Sequence, residues 1–178
     1  MRTHALQNAL AAIVLSILIS ACGGDDTHEG RKVDASGKEA TGLESVPTEV
    51  LAVARAARPD LELSSAEFET RDGKAYYDVG GTLPDGSEWE LDITQLDGVW
   101  TVAEVQRNIG MDLVPDPVSG VLETKFPGWS PDRIIESDQG DGVVVYEFFG
   151  KDTDGEVTKV EVKLEEGHAE LLIDEWVH

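Results

Sequence analysis

From Val46 onward the chain repeats itself. Val46-Pro47 recurs as Val114-Pro115, 68 residues later, and Pro59 recurs as Pro127 at the same offset. Asp72-Gly73, Asp85-Gly86 and Asp97-Gly98 then correspond to Asp141-Gly142, Asp154-Gly155 and Glu166-Gly167, all displaced by 69. Between these turns YDVGG at 77–81 aligns with YEFFG at 146–150. One inserted residue before the first turn reconciles the two offsets. Three turns at matching spacings predict two copies of one unit, 46–110 and 111–178, which bounds the fold before any residue is placed.

Each unit opens with a short amphipathic helix. Val46, Val50, Val53, Ala54 and Ala57 recur at three- and four-residue steps in the first, as do Val118, Val121, Leu122 and Phe126 in the second. Pro47 and Pro115 suit the first helical turn, and Pro59 and Pro127 end the helix. Four β-patterned runs follow, separated by the acidic-glycine turns. Pro84-Asp85-Gly86 suits a three-residue hairpin loop with glycine in the left-handed region. That loop pairs Gly81 with Trp89, Val79 with Leu91 and Tyr77 with Ile93, which puts every apolar residue on one face. The same rule at Asp154-Gly155 pairs Phe148 with Val160 and Tyr146 with Val162. The predicted fold class is α+β: two repeats of one helix packed on a four-stranded antiparallel meander. The pattern leaves open the register of the last strands, with Trp100 and Trp176.

The unit resembles a PepSY-type domain, and its tandem form is similar to the β-lactamase-inhibitory-protein fold. The residues that carry the likeness are the helix end at Ala56 to Pro59, Gly73, Tyr77, Val79, Gly86, Leu91 and Asp97-Gly98. The resemblance implies no catalysis, since members inhibit enzymes or act as envelope proteins. No contact motif of those inhibitors stands in this sequence, so no inhibitory residue is carried over.

Arg2 precedes an apolar run from Ala9 to Ile19, which is shorter than the roughly 20 residues a transmembrane helix needs and fits the apolar region of a secretory signal. Ile19-Ser20-Ala21-Cys22 resembles the lipobox of bacterial lipoproteins. That resemblance implies removal of residues 1–21 and lipidation of Cys22, the sole cysteine, for which an exported chain has no internal disulfide partner. Gly23, where aspartate would favour inner-membrane retention, implies an outer-membrane anchor facing the periplasm if the host is Gram-negative. Residues 22–45 hold few large aliphatics and are predicted to be a flexible tether, with a root-mean-square reach of about 25 Å.

Without residues 1–21 the chain carries 13 Lys and Arg against 36 Asp and Glu, a net charge of −23. Such a surface excludes nucleic acid, which needs phosphate-neutralising cations, and suits solubility or a protein partner with a basic surface. His28, His168 and His178 form no metal-ligand spacing. Asp152-x-Asp154-Gly155-Glu156 has its glycine two positions too early for a calcium loop and reads as a hairpin turn. No nucleophile or phosphate-binding motif is present. No catalytic residue, metal or cofactor is therefore expected.

What remains is the sheet face turned away from the helices. Alternation places Tyr76, Asp78, Glu90 and Asp92 there in the first unit, and Val145, Glu147 and Phe149 in the second. Tyr76, Val145 and Phe149 are apolar where a wet face would be polar, which suits either a partner-binding patch or packing between the units. The reading is a non-enzymatic, lipid-anchored envelope protein that binds another protein through this open surface. The alternatives are an inhibitor of a periplasmic or secreted hydrolase (a peptidase or β-lactamase) and a small-ligand or cation-sensing module.

If Cys22 is the anchor, Cys22→Ser is expected to block processing and move the protein out of the detergent phase. Labelled fatty acid incorporated equally into both proteins would contradict it.

Overall fold

Proline shapes the start of both helices in the computed structural model, which describes residues 31–32, 38–71, 73–174 and 176. Pro47 and Pro115 sit as the residues before the first turn, in extended conformations with φ −52° and −59°. They occupy the cap and not the first turn, as the sequence had suggested. The first turn of the second helix holds Pro117 instead, where its missing N–H costs nothing.

The elements are β1 (Arg31–Lys32), β2 (Glu39–Thr41), α1 (Thr48–Ala57), β3 (Glu62–Arg71), β4 (Lys74–Thr82), β5 (Glu88–Leu96) and β6 (Val99–Ile109). After them come α2 (Asp116–Lys125), β7 (Arg133–Asp138), β8 (Val143–Lys151), β9 (Val157–Glu165) and β10 (His168–Leu171). A 3-10 turn precedes each helix, at Leu43–Ser45 and Met111–Leu113. Both helices lie on one side of the sheet, over two hydrophobic cores. Val50 and Ala54 pack with Val79, Leu91 and Ile93. Val118 and Leu122 pack with Tyr146, Phe148, Val160 and Val162. Ala57, counted in the apolar stripe, is exposed because the helix ends there.

The hairpins take the expected registers: Tyr77 faces Ile93, Val79 faces Leu91, and Phe148 faces Val160. Gly86 and Gly155 supply the left-handed turn residues at φ 87° and 84°. The arrangement of the strands differs from expectation. The two four-stranded meanders do not stand as units of their own, because β6 pairs with β7 from Val105 opposite Asp138 to Ile109 opposite Ile134. All ten strands thus join one antiparallel sheet in the order β1-β9-β8-β7-β6-β5-β4-β3-β2, with β10 also on β9. The physical reason is that β5 pairs with only one edge of β6, and the opposite edge from Val105 to Ile109 is left for β7 to cover.

The segment predicted to be a free tether is partly built into this sheet. β2 pairs with β3, Glu39 opposite Phe68, and Lys38 is ion-paired. Composition misjudged it because strand addition uses backbone hydrogen bonds, which need no apolar side chain. Cys22 and residues 1–21 lie outside the described residues.

Chain length then dictates curvature. β1 and β2 flank opposite ends of the strand order, eight inter-strand steps or about 38 Å apart in a flat sheet. Lys32 and Glu39 are joined by seven peptide units, which reach at most about 25 Å. The sheet therefore curls. Side chains on the face without helices are withdrawn from water across the strand order, from Asp78 and Asp92 to Val145 and Glu161, so that face is the concave one.

Gly81 and Gly150, at equivalent places in the two alignments, are both required by close packing. A Cβ at Gly81 would lie 2.5 Å from the Glu62 carbonyl oxygen, and one at Gly150 would lie 2.7 Å from the Trp129 indole. Gly81→Ala and Gly150→Ala are each expected to cost about 1–3 kcal/mol in urea unfolding, the first more because backbone cannot step aside. Gly120→Ala, in the exposed middle of α2 with nothing within 4 Å, should gain about 0.5–1 kcal/mol. A neutral Gly81→Ala would contradict this packing.

Candidate functional site

Strand alternation puts all seven expected surface residues on the concave face, but curvature removes most of them from water. Tyr76 is 2% exposed, and Asp78, Asp92 and Val145 are each 1% exposed. The expectation that they form an open surface is corrected on this point. Glu90, Glu147 and Phe149 remain half-buried. Nor do Tyr76 and Phe149 share a patch. Register places Tyr76 level with Thr101 near one end of β6 and Phe149 beyond the other end, so about 25–30 Å of strand separates them. Arg71 stacks on the Tyr76 ring at 4.6 Å, and Arg133 on Phe149 at 5.4 Å.

The chemistry concentrates on β4, β5 and β6. In β5, Trp89, Leu91 and Ile93 turn toward the helices, so Glu90 and Asp92 turn into the concavity. Asp92 is directly opposite Asp78 on one side and Glu104 on the other. Like charges in that relation destabilise a sheet. Donor oxygens of Asp78, Glu90 and Asp92 all lie within 4.8 Å of one another, a group able to hold a metal ion. Lys38 Nζ sits against them, 2.6 Å from Asp78 Oδ2 and 3.7 Å from Glu90 Oε1. Asp92 Oδ1 is buried without a hydrogen-bond donor.

These neighbours set the protonation equilibria. Burial pushes the Asp92 carboxyl well above the usual range, and the charges of Asp78 and Glu104 push it further. Burial also raises Asp78 and Glu90, with Lys38 opposing it in both. For Lys38, burial alone would favour loss of its proton. The attraction of Asp78, Glu90 and Asp92 outweighs it and holds the ammonium above its ordinary pKa.

Glu104 is tied into a polar chain. It accepts hydrogen bonds from Ser137 Oγ and, at 2.5 Å, from Gln106 Nε2. Gln139 Nε2 donates to Ser137 Oγ at 2.9 Å, and Trp176 Nε1 donates to Gln139 Oε1 at 2.9 Å. The Trp176 backbone N–H donates to Glu161 Oε2 at 3.1 Å, bringing the C-terminal segment onto the concave face. Beside the acidic group opens a cavity of about 300 Å³, lined by Ser65, Gly80, Glu88, Glu90, Gln106 and Arg133 among others. Glu90 belongs to both. Gly80 leaves room there, since a Cβ would come 2.5 Å from Ser65 Oγ.

Sequence reasoning found Asp78, Glu90 and Asp92 but missed Glu104 and Lys38. The alternation of Glu104, Gln106 and Asn108 along β6 could have found the first. Nothing local marks the second. The Asp152–Glu156 loop is a turn as expected: Asp152 Oδ1 accepts the N–H groups of Asp154 and Glu156, each at 2.9 Å.

Residues 47–108 match the PepSY family model, described as the peptidase propeptide and YPEB domain. The matched span runs from the start of α1 through β6, so it contains Asp78, Glu90, Asp92 and Glu104 but neither Lys38 nor the second half of the chain. No catalytic family is indicated by the match. Among solved structures, a DUF2874-family protein from Bacteroides vulgatus, provisionally described as periplasmic, aligns with 78% of this chain and 97% of its own. Its identity is 20% and its TM-score 0.30, a likeness on which no argument is placed. No curated protein matches.

An acid whose pKa is raised by folding stabilises the fold when protonated. The contribution of Asp92 is complete below its unfolded pKa, about 3.9, and is lost as pH rises through the higher folded value. With chelator present, Asp92→Asn is expected to melt a few degrees above wild type at about pH 7, the gap closing toward about pH 4. Asp78, Glu90, Glu104, Lys38 and Arg71, which act on it, stay in place in both proteins. A gap that does not change with pH would contradict the cause assigned here.

Proposed function

We propose that this chain is a non-catalytic lipoprotein of the bacterial envelope, built from two PepSY-like units, that binds another protein at the mouth of the concave cavity. The observation that carries this reading is the PepSY match over residues 47–108. The two-unit reading is supported by geometry beyond that span. The glycines of corresponding turns share left-handed conformations, with φ 81° at Gly98 and 79° at Gly167, and the preceding Asp97 and Glu166 share φ 51° and 50°. The helix caps agree as well, from Pro47 and Pro115 to Arg58 and Phe126. The envelope location and the Cys22 anchor rest on the N-terminal sequence alone.

The cavity mouth combines features of a recognition site. Glu88 and Arg133 are exposed with opposite charge, while Glu90 and Phe149 are half-buried beside them. Aromatic and arginine side chains at the rim of a rigid pocket are the groups that dominate protein interfaces. Glu147, one strand over, extends the same surface. Peptidase inhibition is the second reading. The family's description as a peptidase propeptide domain favours it.

A photo-crosslinking residue at Phe149 is expected to trap one envelope protein in living cells. The same residue at Glu123, exposed on α2, should not, and adding Arg133→Glu should abolish the adduct. A peptidase in the adduct selects the second reading. Equal adducts at both positions, or none, would contradict the site.

A further inference from the structure

We propose that Asp78, Glu90 and Asp92 form a calcium site in which the divalent ion takes the place held by the Lys38 ammonium. The donor set is oxygen only and carries three carboxylates, the chemistry that hard cations require. Calcium accepts oxygens at about 2.4 Å in flexible geometry, so donors on its opposite sides stand about 4.8 Å apart. The three carboxylates fall within that span of one another. Magnesium demands a near-ideal octahedron and gives up its waters reluctantly, so a cage of three protein carboxylates suits calcium better.

Acidic residues alone would not make this argument, because they abound in the chain. The second observation is Asp92 Oδ1, which is withdrawn from water and meets no donor on a side chain 1% exposed. Such an atom costs free energy unless a cation or proton satisfies it. Lys38 does not reach it, since its contacts are with Asp78 and Glu90. Glu104, directly across the strand from Asp92, adds negative potential from behind. The cavity supplies the approach, because Glu90 both lines it and belongs to the donor group.

Lys38 gives the site a consequence. It stands immediately before β2, whose three residues pair with the edge of β3. Exchange of its ammonium for calcium releases the ion pair that holds the N-terminal segment to the concave face. Calcium binding would thus be coupled to how that segment joins the fold. This inference does not rest on the partner reading and can fail independently of it.

The test is calorimetric titration of the full chain in detergent, stripped with chelator, using calcium chloride alone and then magnesium chloride. One calcium per chain is expected, with Kd between about 1 μM and 1 mM, weaker magnesium binding, and a rise in Tm on adding calcium. Asp92→Asn should lose both the heat and the Tm shift, its fold being checked by its own melt. Glu90→Gln, at a half-buried position, should lose them too. Lys38→Met should bind calcium several-fold more tightly, since no ammonium competes. Calcium responses unchanged in both carboxylate variants would show diffuse binding to the acidic surface and overturn the site. So would no saturation of wild type by about 10 mM calcium, roughly ten times the Kd of about 1 mM at which the weakest protein calcium sites bind. An equal response to magnesium would overturn the assignment to calcium, and an affinity unmoved by Lys38→Met would overturn the exchange.

Discussion

Pairing of β6 with β7 is the contact on which the architecture turns. Five residue pairs, from Val105 with Asp138 to Ile109 with Ile134, weld two helix-covered halves into one sheet. Without them each half would present a raw strand edge, the usual template for unwanted association. With them the sheet is long enough to curl, and the short link between β1 and β2 requires that it does. Curvature converts the face opposite the helices from a wet surface into an interior. A chain that buries its helix face in two hydrophobic cores thereby acquires a third interior, and this one is polar.

That polar interior is electrostatically unbalanced. Asp78, Glu90, Asp92 and Glu104 converge on it, while Lys38 is the ammonium ion-paired with two of them. Taking each ion out of water costs several kcal/mol even after relaxation, and Lys38, with Arg71 (itself bonded to Glu69) attracting Asp78 and Asp92 from β3, leaves the four carboxylates under-neutralised. The balance must be made up by protons or by another cation. The upward displacement of Asp92, Asp78 and Glu90 is the protonic solution. A bound divalent ion is the other, and the two compete for the same oxygens. Hydrogen bonding by Ser137 and Gln106 keeps Glu104 oriented toward the group and ties it to the C-terminal segment through Gln139 and Trp176.

What the sequence made legible was local. Glycine in the left-handed region and period-two alternation together dictate hairpin register, so the pairing of Val79 with Leu91 could be read from Asp85-Gly86. Helix ends were legible from proline to within a residue, for the same reason. The meeting of β6 and β7 was not, because a helix separates them and the pairing is carried by backbone groups common to every residue. Alternation placed Tyr76, Asp78, Asp92 and Val145 on the correct face. It could not say whether that face was wet, which depends on curvature of the whole sheet. Lys38 was lost for a related reason: its neighbours in sequence resemble a tether, and its partners lie some 40 and 50 residues away.

Lys38 against the carboxylates is therefore the contact that tests the account most directly. A zero-length carbodiimide joins a lysine to a carboxylate only where the two touch, and peptide mass spectrometry identifies the pair. In chelator, Lys38 is expected to link to Glu90 or Asp78, and calcium is expected to suppress that link. A Lys38 that links elsewhere, or whose link to Glu90 is indifferent to calcium, would contradict the central claim.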